Sequence, residues 1–402
     1  MIAGAAVFAV TYVLIAGRRT RLLPLDRPAG ALLGAVGCVV LRVLTPKQAI
    51  DAVNGETLVL LFGLMGMGAF LAEGGLLERA SDWLVAKTRS PARLLGALVW
   101  GAGLLSPLIT NDAVCVLAAP VVVTWIQKHK LPALPFLLGL ATAANTGSVA
   151  TLVGNPQNML CGTLGDLEYR SYLAHMAPVA LVGLAINHAM LALIFKRELA
   201  TVTLPKMDTP RVLDSKGGIT LIVIALTVGA YLSGTDLAWT AVAGFTSLML
   251  VHRADPTKFW GRIDWSILLF FGGLFVVVAG LVQSGAAGFA LAHVPIWTGG
   301  WARTAGLFLI GSNVVSNVPF ILVVSGEMKK MPNPTLAWEL LAMASTFAGN
   351  LTLLGSVANV IVAERGRAVG GLGFVQYLKV GFPLALITTA VGTAWLLAVH
   401  HI

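Results

Sequence analysis

Charged side chains are scarce in this chain of 402 residues, and cysteines are scarcer still. Charged residues make up 11% of the sequence against 57% hydrophobic ones, and the mean hydropathy is +0.85. A soluble domain carries about 25% charged residues, so the composition excludes an ordinary soluble protein and indicates a chain that crosses a membrane several times. The 3 cysteines lie in apolar segments, without the spacing of a disulfide framework or a zinc site. We therefore expect no metal site and no cofactor.

The sequence also lacks the marks of nucleic-acid binding and of catalysis. Its net charge is +9, but the lysines and arginines lie between apolar runs, as topogenic signals do, and no basic face with interleaved aromatic residues occurs. No nucleophile stands beside a base that could activate it. We therefore predict a protein that is not an enzyme, has no nucleic-acid partner and resides in a lipid bilayer.

The apolar segments differ in length, and the long ones are informative. Segment 94–127 contains Asp112 as its only charge. It is too long for one span of about 20 residues and short for two, which favours a re-entrant hairpin. Segments 133–164 and 335–363 are long for one span and carry polar, glycine-rich interruptions, which favours broken helices. Segment 303–326 fits a single span by length, but its place in the second half of the chain favours a second hairpin.

Both halves of the chain show the same order of elements. We predict an all-α polytopic membrane protein of two inverted repeats, each with five transmembrane helices and one re-entrant hairpin, and with broken helices at mid-membrane. The first repeat covers 1–197, a cytoplasmic linker covers 198–217, and the second repeat covers 218–402. The lysines and arginines place both termini on the outer side of a bacterial cytoplasmic (inner) membrane, with Lys329 and Lys330 as exceptions on that outer side.

Two polar signatures recur, once in each half, within sequence that is otherwise apolar. Buried amides, hydroxyls and glycines at membrane depth are costly unless they face protein or water, and matched pairs of them indicate a transport site built from broken helices. The predicted substrate- and ion-binding residues are Thr110, Asn111, Asp112, Asn145, Thr146, Ser148, Thr151, Asn155, Asn158, Ser316, Asn317, Asn350, Thr352, Ser356 and Asn359. The predicted backbone breaks are Gly154, Pro156, Pro319, Gly349 and Gly355. For the amides and hydroxyls, helix capping or bonding between neighbouring helices is the alternative role.

Asp112 is the most informative single residue. One interpretation is a carboxylate that binds a proton or a cation and couples its movement to transport. The other is a cap that accepts free N–H groups of the following half-helix. Val318 occupies the equivalent place in the second half, so any such coupling is asymmetric.

These motifs resemble those of the ion transporter superfamily, in particular the branch of arsenite permeases and D-type Na⁺/H⁺ antiporters. The resemblance rests on Thr110-Asn111-Asp112 with Pro120 downstream, on the run 154–158, on Ser316-Asn317-Val318-Pro319, and on the run 355–359. Dicarboxylate:sodium symporters of the superfamily have a Ser-Asn-Thr signature, and this chain has Asp112 at the third place. The resemblance implies a scaffold around two hairpin-bearing transport units, a homodimer and, for an arsenite permease, a cytoplasmic ATPase partner.

Three functions remain open at this point. The first is proton-coupled efflux of arsenite or antimonite as a small neutral oxyacid, since the predicted site offers amides and hydroxyls but no Lys or Arg for an anion, and Asp112 supplies the exchangeable proton. The second is sodium-coupled symport of a dicarboxylate or an inorganic oxyanion, with half-helix N-termini holding the charge. The third is Na⁺/H⁺ antiport without another solute.

Overall fold

The architecture was obtained as a computed structural model, which describes residues 1–16, 25–73, 75–204, 212–253, 255–293 and 299–402. All regular elements in these ranges are helices. Residues 205–211 of the predicted linker lie outside the described ranges.

The helices of the first half begin with a short N-terminal pair and end at the linker. They are α1 (Ile2–Ala16), α2 (Arg27–Val40), α3 (Pro46–Asp51), α4 (Gly55–Glu73), α5 (Leu76–Thr88), α6 (Pro91–Ile109), α7 (Asn111–His129), α8 (Ala133–Ser148), α9 (Pro156–Gly165), α10 (Tyr169–Ile194) and α11 (Lys196–Leu199).

The second half repeats this order with similar lengths. Its helices are α12 (Ser215–Leu232), α13 (Leu237–His252), α14 (Pro256–Trp260), α15 (Trp265–Gln283), α16 (Ala286–His293), α17 (Trp301–Val315), α18 (Asn317–Met328), α19 (Pro334–Leu351), α20 (Val357–Arg365) and α21 (Phe374–Val399), with 3₁₀ turns at Leu353–Gly355 and Gly366–Val369. Among the described residues, α4, α6, α10, α12, α15 and α21 are long and apolar enough to cross a membrane.

Local sequence explains where several of these helices begin. The side chain of Ser90 accepts a hydrogen bond from the N–H of Arg93, and Pro91 follows it at the first helical position of α6. In α9 the Asn155 side chain caps in the same way and Pro156 comes first. A proline at this position gives up an N–H that would have no helical partner, so it starts a helix at little cost.

Two close helix crossings show that the halves are copies of one unit. A β-carbon on Gly63 of α4 would meet the carbonyl carbon of Ala241 in α13 at 2.6 Å, and one on Gly273 of α15 would meet that of Ala31 in α2 at 2.8 Å. Each pair joins a third span of one half to a second span of the other. Gly273 follows Gly63 by the same number of residues as Ala241 follows Ala31.

Helices α6 and α7 form a hairpin whose outer ends both lie beside α5. Helix α6 begins three residues after α5 ends, and Trp125, near the end of α7, donates a hydrogen bond to Ser81 of α5 at 2.5 Å. Helix α5 is in turn bound to the linker, because Arg79 donates to the carbonyl of Val212 at 3.0 Å and pairs with Asp214 at 2.9 Å. Hydrogen bonding by the N–H of Gly217, together with the Arg79 guanidinium, holds the pKa of Asp214 below its ordinary value. We call this end of the molecule the linker side.

Helices α17 and α18 also double back, so segment 303–326 is not one continuous span. The rings of Phe308 and Phe320, one on each arm, lie 6.2 Å apart, and Gly311 packs against Phe320. The second arm leads to Asn333, whose side chain contacts His400 after the end of α21 at 3.4 Å. We call this end the C-terminal side.

The two hairpins therefore enter from opposite sides. Helix α10 connects these sides with 26 residues, about 39 Å. His175 near its start lies at the C-terminal side with His400, and His188 near its end contacts Trp100 of α6. This confirms the predicted all-α fold of two oppositely oriented repeats. The exact repeat boundaries stay a prediction.

Candidate functional site

Each hairpin turns at a residue with a backbone conformation that L-amino acids rarely adopt. Thr110 has φ 90° and ψ 145°, and Ser316 has φ 71° and ψ 148°. A non-glycine residue in this region is strained, and such strain persists only where surrounding structure enforces it. The same conformation at both tips shows that the second hairpin repeats the first in detail.

Hydrogen bonds to the nearby broken helix hold each tip. The N–H of Asn111 donates to the carbonyl of Gly154 at 2.9 Å, and its side-chain amide donates to Asn145 at 2.9 Å. In the second half the amide of Asn317 makes a longer contact, 3.5 Å, with the carbonyl of Gly355. The second tip is thus held less tightly than the first.

The broken helices leave carbonyls without helical partners, and one asparagine in each half satisfies them. The amide of Asn158 donates to the carbonyls of Ser148 and Thr151 at 3.1 and 3.0 Å. The amide of Asn359 donates to those of Gly349 and Thr352 at 2.7 and 3.2 Å. A buried carbonyl without a partner is costly, so these two amides make the breaks possible.

A second layer of hydrogen bonds joins the two halves. The amide of Asn145 donates to the side chains of Asn350 and Asn359 at 3.1 and 2.9 Å, and its oxygen accepts from Ser356 at 3.0 Å. Further links between the halves run from Asn155 to Thr346, from Thr346 to Asn158, and from Asn350 to Thr146. We call these residues the interface network.

Eight predicted binding residues lie in or beside this network and line neither cavity described below. They are Asn145, Thr146, Ser148, Thr151, Asn155, Asn158, Asn350 and Asn359, all buried. In the structure they lie outside both cavities, and their donors and acceptors are used by the breaks, by neighbouring helices and by the facing half. They bond neighbouring helices here, and their part in binding a substrate or ion stays a prediction.

The predicted backbone breaks take different places in the helices. Gly154 lies between α8 and α9, and Gly355 ends the 3₁₀ turn before α20, where a β-carbon would come within 2.7 Å of the Ala348 carbonyl. Gly349 is wrong as a break, because it lies inside α19 and its carbonyl accepts from Asn359. Pro156 opens α9, and Pro319 lies in the first turn of α18, where its missing N–H interrupts no helical bond.

A cavity of about 350 Å³ lies between the two hairpin tips. The predicted binding residues that line it are Asn111, Asp112, Ser316, Asn317, Thr352 and Ser356, together with Pro156, Pro319 and Gly355. Thr110 instead lines a neighbouring cavity of about 590 Å³, which Asp112 and Pro156 also border. Asp112 therefore separates two cavities.

Two acceptor oxygens on residues that line the first cavity are buried and have no hydrogen-bond partner among the described residues. They are Oδ1 of Asp112 and Oδ1 of Asn317. The Asp112 carboxylate lies beside the backbone of Ala358, in the first turn of α20. Unsatisfied buried acceptors are rare in proteins, so these two point to a ligand that donates hydrogen bonds.

Arg27 and Asn313 are lining residues that the sequence analysis missed. Arg27 opens α2 and shares the first cavity with Asp112, so the expectation of a site without Lys or Arg is wrong. Its position between apolar segments is typical of a topogenic charge and gives no sign that α2 begins beside the hairpins. Asn313 is a polar residue within an apolar arm, which is a signal that could have identified it.

The second cavity has an ion pair at its border. Arg262 and Asp264, from the turn before α15, line it. Arg262 pairs with Glu73 at the end of α4. Both cavities near Asp112 therefore have charged residues of both signs close by.

The sequence matches a transporter family and individual transporters. The model of a citrate transporter family, CitMHS, matches residues 12–348. The silicon efflux transporter LSI3 of rice is 30% identical, with 98% of this chain and 96% of that protein covered. The putative transporter arsB of Dictyostelium discoideum is 25% identical, with coverage of 96% and 90%.

A solved structure supports the fold. The crystal structure of the YdaH transporter of Alcanivorax borkumensis superposes with a TM-score of 0.56 at 16% identity, over 98% of this chain and 96% of that one. The match of the family model over most of the chain, together with the apolar helices and the paired hairpins, identifies a multi-pass secondary transporter. The chain belongs to the citrate transporter family CitMHS, within the ion transporter superfamily.

Proposed function

We propose that this transporter exports a small neutral oxyacid, arsenous acid or a close chemical relative, in exchange for protons. The observation that carries the proposal is a pair of buried acceptor oxygens without partners among the described residues, on Asp112 and Asn317, two residues that line one cavity. A neutral oxyacid carries several O–H donors, and donors are what these acceptors lack. The positive charge of Arg27 offsets the negative charge of the Asp112 carboxylate. The cavity therefore favours a solute without net charge.

The same geometry supplies a reason for proton coupling. A hydroxyl of the solute donates to the ionised Asp112 carboxylate, whereas in the protonated carboxyl one oxygen carries the proton and acts as a donor itself. Solute and proton therefore compete for one oxygen, and competition for a shared site is what an exchanger requires. After the solute leaves, Asp112 takes up a proton, and the site without solute reopens to the other side of the membrane.

The similar proteins favour this class of solute. The rice relative is named for silicon efflux and the Dictyostelium relative for arsB. Silicic and arsenous acid are both small, neutral and rich in hydroxyls. A cavity that binds neutral hydroxyl-rich solutes would suit both relatives. Antimonite belongs to the same class of solute.

Flux measurements in everted membrane vesicles test the proposal. We expect arsenite accumulation that collapses when the proton gradient is dissipated and that silicic acid inhibits. Asp112→Asn keeps the shape of the side chain but cannot release a proton, so it should lower gradient-driven accumulation at least about tenfold. Glu327→Gln, which removes an acid paired with Lys330 on the surface, serves as the control and should transport normally. Flux that ignores the gradient, or that survives Asp112→Asn, contradicts the proposal.

Sodium-coupled transport of a carboxylate or oxyanion is the second candidate, and Arg27 is the observation that favours it. An anion would need the Arg27 guanidinium as its main partner in the first cavity. Arg27→Gln should then abolish uptake of citrate or sulfate by right-side-out vesicles, and uptake should require Na⁺. For a neutral oxyacid, the same variant should change KM only about tenfold or less, because it removes one donor among several partners.

The membrane placement belongs to the same proposal. We place the linker side in the cytoplasm and both termini outside, in a bacterial inner membrane, following the distribution of lysines and arginines. The two hairpins are then re-entrant, one from each face of the bilayer. Irregular backbone such as that at Thr110 and Ser316 is tolerated at membrane depth where it lines a cavity.

A further inference from the structure

A cluster of three metal-binding side chains lies away from the transport cavity, at the C-terminal side. His175 comes from α10, Glu339 from α19, and His400 from the residues after α21. One ligand atom from each lies within 4.8 Å of the others. Glu339 precedes the break at Thr352 by 13 residues of helix, or about 20 Å, so the cluster is separate from the site described above.

The carboxylate at the centre of the cluster is buried and bridges both imidazoles. Glu339 is 1% exposed, its Oε1 lies 2.8 Å from Nδ1 of His175, and its Oε2 lies 2.8 Å from Nε2 of His400. A buried carboxylate is costly away from water unless a positive charge lies beside it. A divalent cation would offset that charge.

We propose that His175, Glu339 and His400 bind a divalent transition-metal ion, with Zn²⁺ as the best match. Two imidazoles and one carboxylate form a known zinc ligand set that keeps a fourth position for water. Imidazole ligands favour Zn²⁺ and similar ions over Mg²⁺ or Ca²⁺, which prefer oxygen. Such an ion would join α10 of the first repeat to α19 and the C-terminus of the second.

Access from water fits this site. The side chains of His175 and His400 are 23% and 12% exposed, so an ion can reach them from water. The Asn333 amide nitrogen contacts Nδ1 of His400 at 3.4 Å, and Nε2 of that ring lies 2.8 Å from Glu339. Tyr172, one turn before His175 on α10, has a buried hydroxyl without a partner among the described residues, which a water on the metal could satisfy.

Zinc titration of the purified full chain, carrying a tag without histidines, tests the proposal. Calorimetry with Zn²⁺ alone should show one ion bound per chain, and Co²⁺ in its place should show visible absorption of tetrahedral coordination. Glu339→Gln and His400→Ala should each weaken binding about 100-fold or more. His188→Ala removes an imidazole of α10 that contacts Trp100, and this control should bind normally.

One further variant separates a metal site from a plain hydrogen-bonded cluster. Metal-bound histidine donates its other ring N–H to an acceptor, whereas the Asn333 oxygen already accepts from the N–H of Leu336. Asn333→Asp keeps that helix cap and offers a second acceptor oxygen, so it should tighten Zn²⁺ binding about tenfold.

Folding is checked independently. His400 follows the last helix, so His400→Ala should fold, and Zn²⁺ should raise the thermal midpoint of the wild type but not of this variant. Absence of stoichiometric Zn²⁺ binding, or binding that survives Glu339→Gln, overturns the proposal and leaves a hydrogen-bonded Glu–His cluster only. None of these readouts depends on the transported solute.

Discussion

At the scale of single residues, chemically similar asparagines serve two different purposes. Asn317 borders the cavity, its amide makes one long contact, and its oxygen is free. Asn359 is fully buried, and its amide satisfies two carbonyls of the broken helix. Sequence spacing placed both among the binding residues, because an amide in an apolar segment has the same signature in either role. Only the positions of the neighbouring carbonyls distinguish the two.

This difference predicts opposite phenotypes for two alanine variants. Asn359→Ala should lower the free energy of unfolding by about 1–3 kcal/mol, because it leaves buried carbonyls without partners. Asn317→Ala should leave stability within about 0.5 kcal/mol of the wild type but lower arsenite flux. Thermal unfolding in detergent and vesicle flux, measured on the same preparations, check this. Equal destabilisation by both variants would contradict the division into network and cavity.

At the scale of elements, close approach of helix backbones sets where the broken helices lie. Helix α8 packs against α6 so tightly that a β-carbon on Gly147 would collide with the backbone of Gly103. The sequence predicted both broken helices from their length and polarity, and it predicted the second hairpin from repeat symmetry alone. It could not identify Gly349 as helical, because a glycine next to a break and one within the last helical turn look alike in sequence.

The α6–α8 contact gives a test with a matched control. Gly147→Ala should destabilise the protein by about 1–3 kcal/mol through overpacking of two backbones. Gly101→Ala, also within a helix but with open space around it, should gain up to about 1 kcal/mol from helix propensity. Unfolding of both variants in a common detergent gives the comparison. A neutral Gly147→Ala would mean that the two helices can move apart freely.

At the scale of the whole molecule, hairpins of opposite orientation bring their tips to one cavity. The linker side is defined by α5 with Asp214, and the C-terminal side by Asn333 with His400. These contacts place Lys329 and Lys330 on the same side of the molecule as the C-terminus. This holds for either orientation in the membrane. The two lysines are therefore an exception to charge asymmetry and not evidence against the second hairpin.

Cysteine labelling tests this arrangement, since the native cysteines are all buried. With termini outside, a membrane-impermeant maleimide should label Lys330→Cys and Ile402→Cys in intact cells. Lys128→Cys, at the end of the first hairpin, should react only after permeabilisation, and the wild type should stay unlabelled. The reverse pattern would invert the proposed orientation. Opposite behaviour of Lys330→Cys and Ile402→Cys would contradict the second hairpin itself.

The sequence by itself determined the class of protein and the repeat. Scarce charge, long apolar segments and paired polar signatures require a membrane fold with interrupted helices, because polar backbone and side chains cannot face hydrocarbon. Only the tertiary structure decided which polar groups face the cavity, that Arg27 joins Asp112 there, and that Glu339 meets two histidines from distant helices. These are contacts between residues far apart in the chain. Spacing along one helix fixes the face on which a side chain lies. It does not determine which residues of the other half contact that face.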